Sequence, residues 1–188
     1  AEALEVLSDC EIVIAAVGEC SADIGEATSK TCLRLSPNQE KLIRSLKEAG
    51  KTVITLVFSG RPLEIKPVLP YSDALVQAWF LGSESAAGLT DVLSGDYNPS
   101  GRLSMSFPQT VGQIPVYYNN YRTARPYYGQ EDHFVSKYLD CPNEPLFSFG
   151  YGLSYSTVEY SGFKVAKEGE TCTASVTVRN TSGPAVKE

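Results

Sequence analysis

The run Ile12-Val13-Ile14-Ala15-Ala16-Val17 is apolar at every position, rich in β-branched residues, and stops at Gly18. A run this short is too brief for a helix of ordinary length. Its composition suits a strand buried on both faces, as in a parallel sheet. Parallel neighbours need a crossover connection, and the chain supplies one. Ser36-Pro37-Asn38-Gln39 reads as a helix start, with Ser36 as N-cap, Pro37 in the first turn and Gln39 closing a capping box. Leu42, Ile43, Leu46 and Ala49 mark one helical face, and Gly50 stops the helix. Thr52–Phe58 is the next strand, and 74–80 is a third. A helix over Glu84–Leu93 follows and ends at Ser94-Gly95. This order predicts an α/β fold, with a mostly parallel sheet flanked by helices.

Ligands of such sheets bind outside the carboxyl ends of the strands. The loop 19–35 leaves the carboxyl end of the first strand and carries Glu19, Asp23 and Glu26. It is therefore the candidate site. It has polar and small residues and few apolar anchors, so it is expected to be mobile. A calcium site at these three acids is one reading of the cluster, although the spacing lacks a DxDxDG pattern.

Beyond residue 95 the texture changes. Leu103–Phe107 reads as a short strand after a turn-rich entry. Residues 113–155 are rich in Tyr and Phe, with little helical or strand period. These aromatics either stack on sugar or pin a long irregular segment to a protein surface. Trp79 lies in an apolar run and reads as core. From Thr157 the pattern alternates through Val158, Tyr160, Phe163 and Val165, then Cys172, Ala174, Val176 and Val178. That is a terminal β-hairpin, as at the start of a β-sandwich. Two strands alone are marginal in water. The hairpin is expected to lie on the α/β part or to pair with another copy as a homodimer.

Several function classes drop out. The net charge is −6 and the basic residues are scattered, so no nucleic-acid surface is indicated. No apolar run approaches the roughly 20 residues of a membrane span. Five cysteines with no CxxC pair suggest neither a disulfide framework nor a zinc site. Free thiols in reducing surroundings are the simplest reading, with cytoplasm and periplasm both left open. His133 is the single histidine and lacks the partners of a Ser-His-Asp triad. No phosphate-binding glycine loop is present. No cofactor and no metal are therefore expected.

GDYNPSGRLSMSFP, GQIPVYYNNYRTARPY, FVSKYLD and PLFSFGYGLSYS occur in this order, and together they closely resemble glycoside hydrolase family 3, in particular its bacterial periplasmic-type β-glucosidases. The resemblance implies residues 1–155 as the family's C-terminal α/β sandwich domain, lacking its first elements. It implies 156–188 as the beginning of a fibronectin type III-like domain. It also implies a TIM-like barrel elsewhere in the polypeptide as this domain's partner, with an aspartate nucleophile. The implied substrate is a β-linked oligosaccharide or glucoside, cleaved from its non-reducing end by a retaining exo-acting β-glucosidase. A β-xylosidase-type member, or a non-catalytic scaffold or dimerisation domain, is the alternative.

Retaining glycosidases need two carboxyl groups about 5–5.5 Å apart. In many family members the acid/base is a glutamate on a loop of the sandwich domain. The pattern around it is Gly-Glu, a linker, Glu-Ala, then a Ser-Arg-like pair before the Pro that opens a helix. Here Gly18-Glu19, Gly25-Glu26-Ala27 and Thr28-Ser29-Lys30 occupy that pattern. The resemblance thus implies Glu26 as acid/base. Glu19 would hold the loop or contact substrate. Lys30 stands where an arginine is common, so a point charge replaces a bidentate fork there. In the separate domain nothing covers the loop, and Glu26 is expected to be a solvated carboxylate.

Overall fold

The structure is a computed structural model that describes residues 2–188. The chain divides into two units, one comprising the residues up to Ser85 with Leu103–Gly150, the other Ala86–Arg102 with Tyr151–Glu188.

The first unit begins with a short helix, α1 (Glu2–Val6), and the strand β1 (Ile12–Gly18). Helix α2 (Pro37–Glu48) leads to β2 (Thr52–Phe58), and a 3₁₀ turn over Lys66–Tyr71 leads to β3 (Ala74–Gln77). The sheet order is β1-β2-β3, parallel throughout. Register runs from Ile12 beside Thr52 to Gly18 beside Phe58, so β1 and β2 end side by side.

Local chemistry sets α2. Ser36 Oγ accepts the Gln39 amide at 3.4 Å, and Gln39 Oε1 accepts the Ser36 amide at 3.4 Å. Together they satisfy two N–H groups that a helix start leaves open. Ile43 and Leu46 are fully buried against Val13, Val17, Val53 and Val57. Ala49 falls at the C-cap and is exposed, so it does not belong to the packed face.

The sheet corrects one expectation. β1 is not buried on both faces. Val13, Ala15 and Val17 face the core, whereas Ile12, Ile14 and Ala16 are exposed. β1 is an edge strand, and α2 with the Lys66–Tyr71 turn packs on one face only. An apolar run cannot report which of its two faces receives a neighbour.

β3 is shorter than the expected 74–80. The Ala78 amide still donates to the Val57 carbonyl at 2.8 Å, but Trp79 takes φ +55 and turns the chain out of the sheet. Trp79 nevertheless packs on the core, with its ring centroid 5.9 Å from that of Phe107. Leu103–Phe107 forms no extended strand. Only Phe107 pairs, in an isolated antiparallel bridge with Phe147.

The irregular segment after residue 110 hangs on one buried amide. Gln113 Oε1 accepts the Gln109 amide at 2.8 Å, and its Nε2 lies 3.1 Å from the carbonyls of Pro142, Asn143 and Glu144. A buried polar group must be bonded to persist, and here the bonding ties distant turns together. Tyr118 stacks on Phe149 at 4.3 Å. Most other aromatics of the segment, including Tyr117, Tyr121, Tyr128 and Phe134, are exposed.

The second unit contains helix α3 (Ser85–Ser94) from Ala86 onward, and the antiparallel hairpin of β4 (Thr157–Glu168) and β5 (Thr171–Ser182). Asn98 is its local anchor. Its Nδ2 donates to Ser156 Oγ at 2.8 Å and to the Ala185 carbonyl at 3.0 Å, while its Oδ1 accepts the Tyr155 amide at 2.8 Å. The apolar residues Tyr160, Phe163, Val165, Val176 and Val178 are all exposed.

Candidate functional site

Gly18 ends β1 with φ +143, a conformation closed to residues with a side chain. A Cβ there would lie 1.8 Å from the Phe58 carbonyl oxygen. The close approach lets the Glu19 amide donate to that oxygen at 2.8 Å, while the Gly18 carbonyl accepts from Gln39 Nε2 at 3.0 Å. The loop therefore leaves the sheet at a fixed point between β1, β2 and the start of α2.

A short 3₁₀ turn over Ser21–Asp23 follows. Asp23 Oδ2 accepts the Cys20 amide at 3.1 Å and the Cys20 thiol at 3.2 Å. Gly25, Glu26 and Ala27 carry the turn that matters. Gly25 has φ +112 and Ala27 has φ +60, so two left-handed residues flank Glu26. Glu26 itself is exposed. Thr28 Oγ1 donates to the Gly25 carbonyl and closes the turn. A non-glycine residue at positive φ is uncommon, and such strain collects at functional sites.

Glu19 behaves differently from Glu26. Its side chain is only 3% exposed. It accepts Arg61 Nη1 and the Gly60 amide at 3.2 Å, with Lys30 Nζ 3.7 Å away. Lys30 also donates to Asp23 Oδ1 at 2.9 Å. Two acids and two bases thus form one neutral cluster under the loop. Glu19, Asp23 and Glu26 do not gather into a calcium site. Arg61 and Lys30 engage the first two, and no group of three His, Cys, Asp or Glu among the described residues could hold a metal. His133 is exposed and sits edge-on to Phe134, with ring centroids 5.1 Å apart.

Arg61 is the member of this cluster that the sequence reading missed. Its Nη1 donates to the Asp23 carbonyl at 2.9 Å, and its Nη2 donates to the Thr28 carbonyl at 2.7 Å. The signal lay in Ser59-Gly60-Arg61-Pro62, a turn at the carboxyl end of β2, next to the end of β1. Only the strand pairing shows that the two ends are neighbours. An open hollow of about 440 Å³ lies beside the loop, lined by Gly25, Ala27, Thr28, Ser29, Lys30 and Arg61 among others.

The hydrogen bond from Lys30, with that of the Cys20 thiol, holds the Asp23 carboxyl at about 2 rather than the ordinary 3.8. The same contact raises the Lys30 ammonium. For an acid with a depressed pKa, the stabilising contact is complete above its unfolded value and is lost as pH falls through the folded one. The Asp23–Lys30 bridge is therefore expected to be intact above about pH 4 and to open as pH falls toward 2. A carbon-detected NMR titration checks this. The Asp23 midpoint is expected near 2 and should move up toward 3.8 in Lys30→Gln. An unmoved midpoint would remove Lys30 as the cause.

A carboxyl group at the tip of a tethered loop can, as the acid, give a proton to a substrate brought to it and, as the carboxylate, take one back. The two carboxylates of the cluster beneath it, Glu19 and Asp23, are engaged by Arg61 and Lys30.

Residues 1–155 match the model of the glycosyl hydrolase family 3 C-terminal domain. The chain is 42% identical over 186 residues to a periplasmic beta-glucosidase of Salmonella typhimurium, covering 96% of this chain and 24% of that protein. It is 34% identical over 185 residues to a beta-xylosidase of Formosa agariphila, covering 96% of this chain and 25% of that protein. Among solved structures, a beta-glucosidase from Listeria innocua superposes with a TM-score of 0.90 at 45% identity, over 95% of this chain and 25% of that one. The chain thus spans about a quarter of the length of these relatives.

Proposed function

The chain belongs to glycosyl hydrolase family 3, as part of its C-terminal domain, and on that premise we propose that it supplies the general acid/base of a retaining exo-acting β-glycosidase. Glu26 is the residue we assign to that role. The observation that carries the assignment is its presentation: an exposed carboxylate between Gly25 and Ala27, both at positive φ, on a loop fastened at the carboxyl ends of the strands. Glu19 and Lys30 hold the loop. Their contacts with Arg61, the Gly60 amide and Asp23 support that reading over direct contact with substrate.

The partner is a barrel domain of the same polypeptide, bearing an aspartate. That aspartate attacks the anomeric carbon as the glycosidic C–O bond breaks, and Glu26 passes its proton to the departing oxygen. The same carboxylate then takes a proton from the water that releases the sugar. No cofactor is needed for either step. The sugar is a β-glucosyl residue in the first instance. A relative named as a beta-xylosidase makes β-xyloside the second substrate to assay. Residues 156–188 are read as the beginning of a fibronectin type III-like domain, supported by the antiparallel pairing of β4 and β5.

The 188-residue chain by itself is expected to be inactive. A general acid alone contributes about 10²–10⁴-fold, far less than a glycosidase requires. Purified chain and its Glu26→Ala variant should release nitrophenol from nitrophenyl β-glucoside at the same background rate. Hydrolysis by the chain that Glu26→Ala abolishes would show that this domain works without a barrel nucleophile. In the full-length polypeptide, the decisive test is the leaving-group dependence of Glu26→Ala.

A further inference from the structure

We infer that Arg61 is a positioning residue for Glu26: its guanidinium bridges the two limbs of the loop that carries the carboxylate. This inference rests on the acid/base reading of Glu26. The geometry is specific. One nitrogen bonds the Asp23 carbonyl, three residues before Glu26, and the other bonds the Thr28 carbonyl, two residues after it. A single side chain therefore closes the base of the turn Asp23–Thr28. Gly25 and Ala27 set the curve of the turn, and Glu26 stands at its tip.

The bridge is itself braced. Arg61 Nη1 also pairs with the Glu19 carboxylate, which is almost fully enclosed. Ser59 Oγ donates to the Arg61 carbonyl at 2.8 Å, and Gln77 Nε2 donates to Ser59 Oγ at 3.0 Å. The sheet thus fixes Arg61 from β2 and β3, and Arg61 in turn fixes the loop. Apolar packing cannot do this for residues 25–29, because Gly25, Glu26, Ala27 and Ser29 are exposed. A planar fork with two donors on separate nitrogens can reach both carbonyls at once. An ammonium is a single point and cannot hold the same two-limb geometry.

Placement of a proton donor within reach of the leaving oxygen decides its use, and a shift of about 1 Å can cost roughly 10²-fold. The test uses the full-length polypeptide with Arg61→Met, Arg61→Lys and Glu26→Ala. Two substrates are compared: cellobiose, whose leaving group needs a proton, and dinitrophenyl β-glucoside, whose leaving group does not. Arg61→Met is expected to lower kcat for cellobiose by about 10²-fold and for the dinitrophenyl substrate by only about threefold. Azide should not restore Arg61→Met, because the carboxylate is still present and repels the anion. Hydrogen exchange at the amides of residues 24–28 should speed up in the same variant.

Arg61→Lys keeps the charge beside Glu19 and is the safeguard if Arg61→Met does not fold. It is expected to show the same selectivity, because one ammonium cannot span both limbs. Wild-type kcat on cellobiose in Arg61→Lys would overturn the inference, since charge alone would then suffice. Equal losses on both substrates in Arg61→Lys would also overturn it, leaving Arg61 as a purely structural residue. In either case a selective, azide-rescued Glu26→Ala would leave the acid/base reading standing. An unselective Glu26→Ala would overturn that reading and this inference with it, even if exchange at 24–28 rose.

Discussion

In the full-length polypeptide, Glu26→Ala is expected to slow cleavage of cellobiose by about 10²–10⁴-fold while leaving the first turnover of dinitrophenyl β-glucoside near its normal rate. The physical reason is the leaving group. A sugar hydroxyl departs as a poor alkoxide unless it gains a proton as the bond breaks. Dinitrophenolate is stable as an anion and departs without help. The second step also loses its base, so the glycosyl-enzyme should accumulate. Added azide needs no deprotonation and can attack the anomeric carbon where the carboxylate stood. The expected result is a burst of dinitrophenol, followed by slow turnover that azide accelerates and that yields glucosyl azide. Equal losses on both substrates with no azide effect would transfer the role to another residue. Glu19 is a poor second candidate, because Arg61 and the Gly60 amide already occupy its carboxylate.

Gly18→Ala should cost about 3 kcal/mol of stability, far more than Gly25→Ala on the same loop. Two effects combine. The backbone at φ +143 is one that L-residues rarely adopt, and the new methyl would overlap the Phe58 carbonyl oxygen at 1.8 Å. The obstacle is backbone in the neighbouring strand, so no rotamer relieves it. Relief requires parting β1 from β2 where the Glu19 amide meets the same oxygen. Gly25→Ala is the control. Its φ is +112, but nothing lies within 4 Å of a Cβ there, so it carries the conformational strain without the overlap. Urea midpoints should fall for both and much further for Gly18→Ala. Equal midpoints would show that β1 and β2 do not approach this closely at Gly18.

Much of the α/β unit was legible because its signals are short-range. The Ser36 and Gln39 pair, Pro37 and the Ile43 and Leu46 spacing specify α2 within a dozen residues. Thr52–Phe58 announces a strand by composition alone, and its bounds agree with those of β2. The placement of loop 19–35 also followed from position, since it leaves the carboxyl end of a strand. The resemblance directed attention to Glu26, and the flanking glycine hinted at the turn without revealing that Ala27 is left-handed too.

Other features depended on neighbours that are distant in sequence. The exposure of Ile12 and Ile14 depends on which sheet face receives α2, and an unbroken apolar run is silent on that. The end of β3 at Gln77 depends on Trp79 turning toward Phe107, a contact that hydropathy does not encode. The long aromatic segment is ordered around Gln113, whose value lies in three carbonyls about 30 residues further on. Above all, the tether on the Glu26 loop belongs to tertiary structure. Arg61 meets Glu19, Asp23 and Thr28 because the β1–β2 register sets Gly18 beside Phe58 and so brings two loops to one corner of the sheet. The sequence by itself determined β1, β2, the capped helix and the acidic loop, since each depends on contacts within one turn or one strand. Which charges meet beneath that loop was decided only by strand pairing, because an ion pair across some forty residues has no local signature.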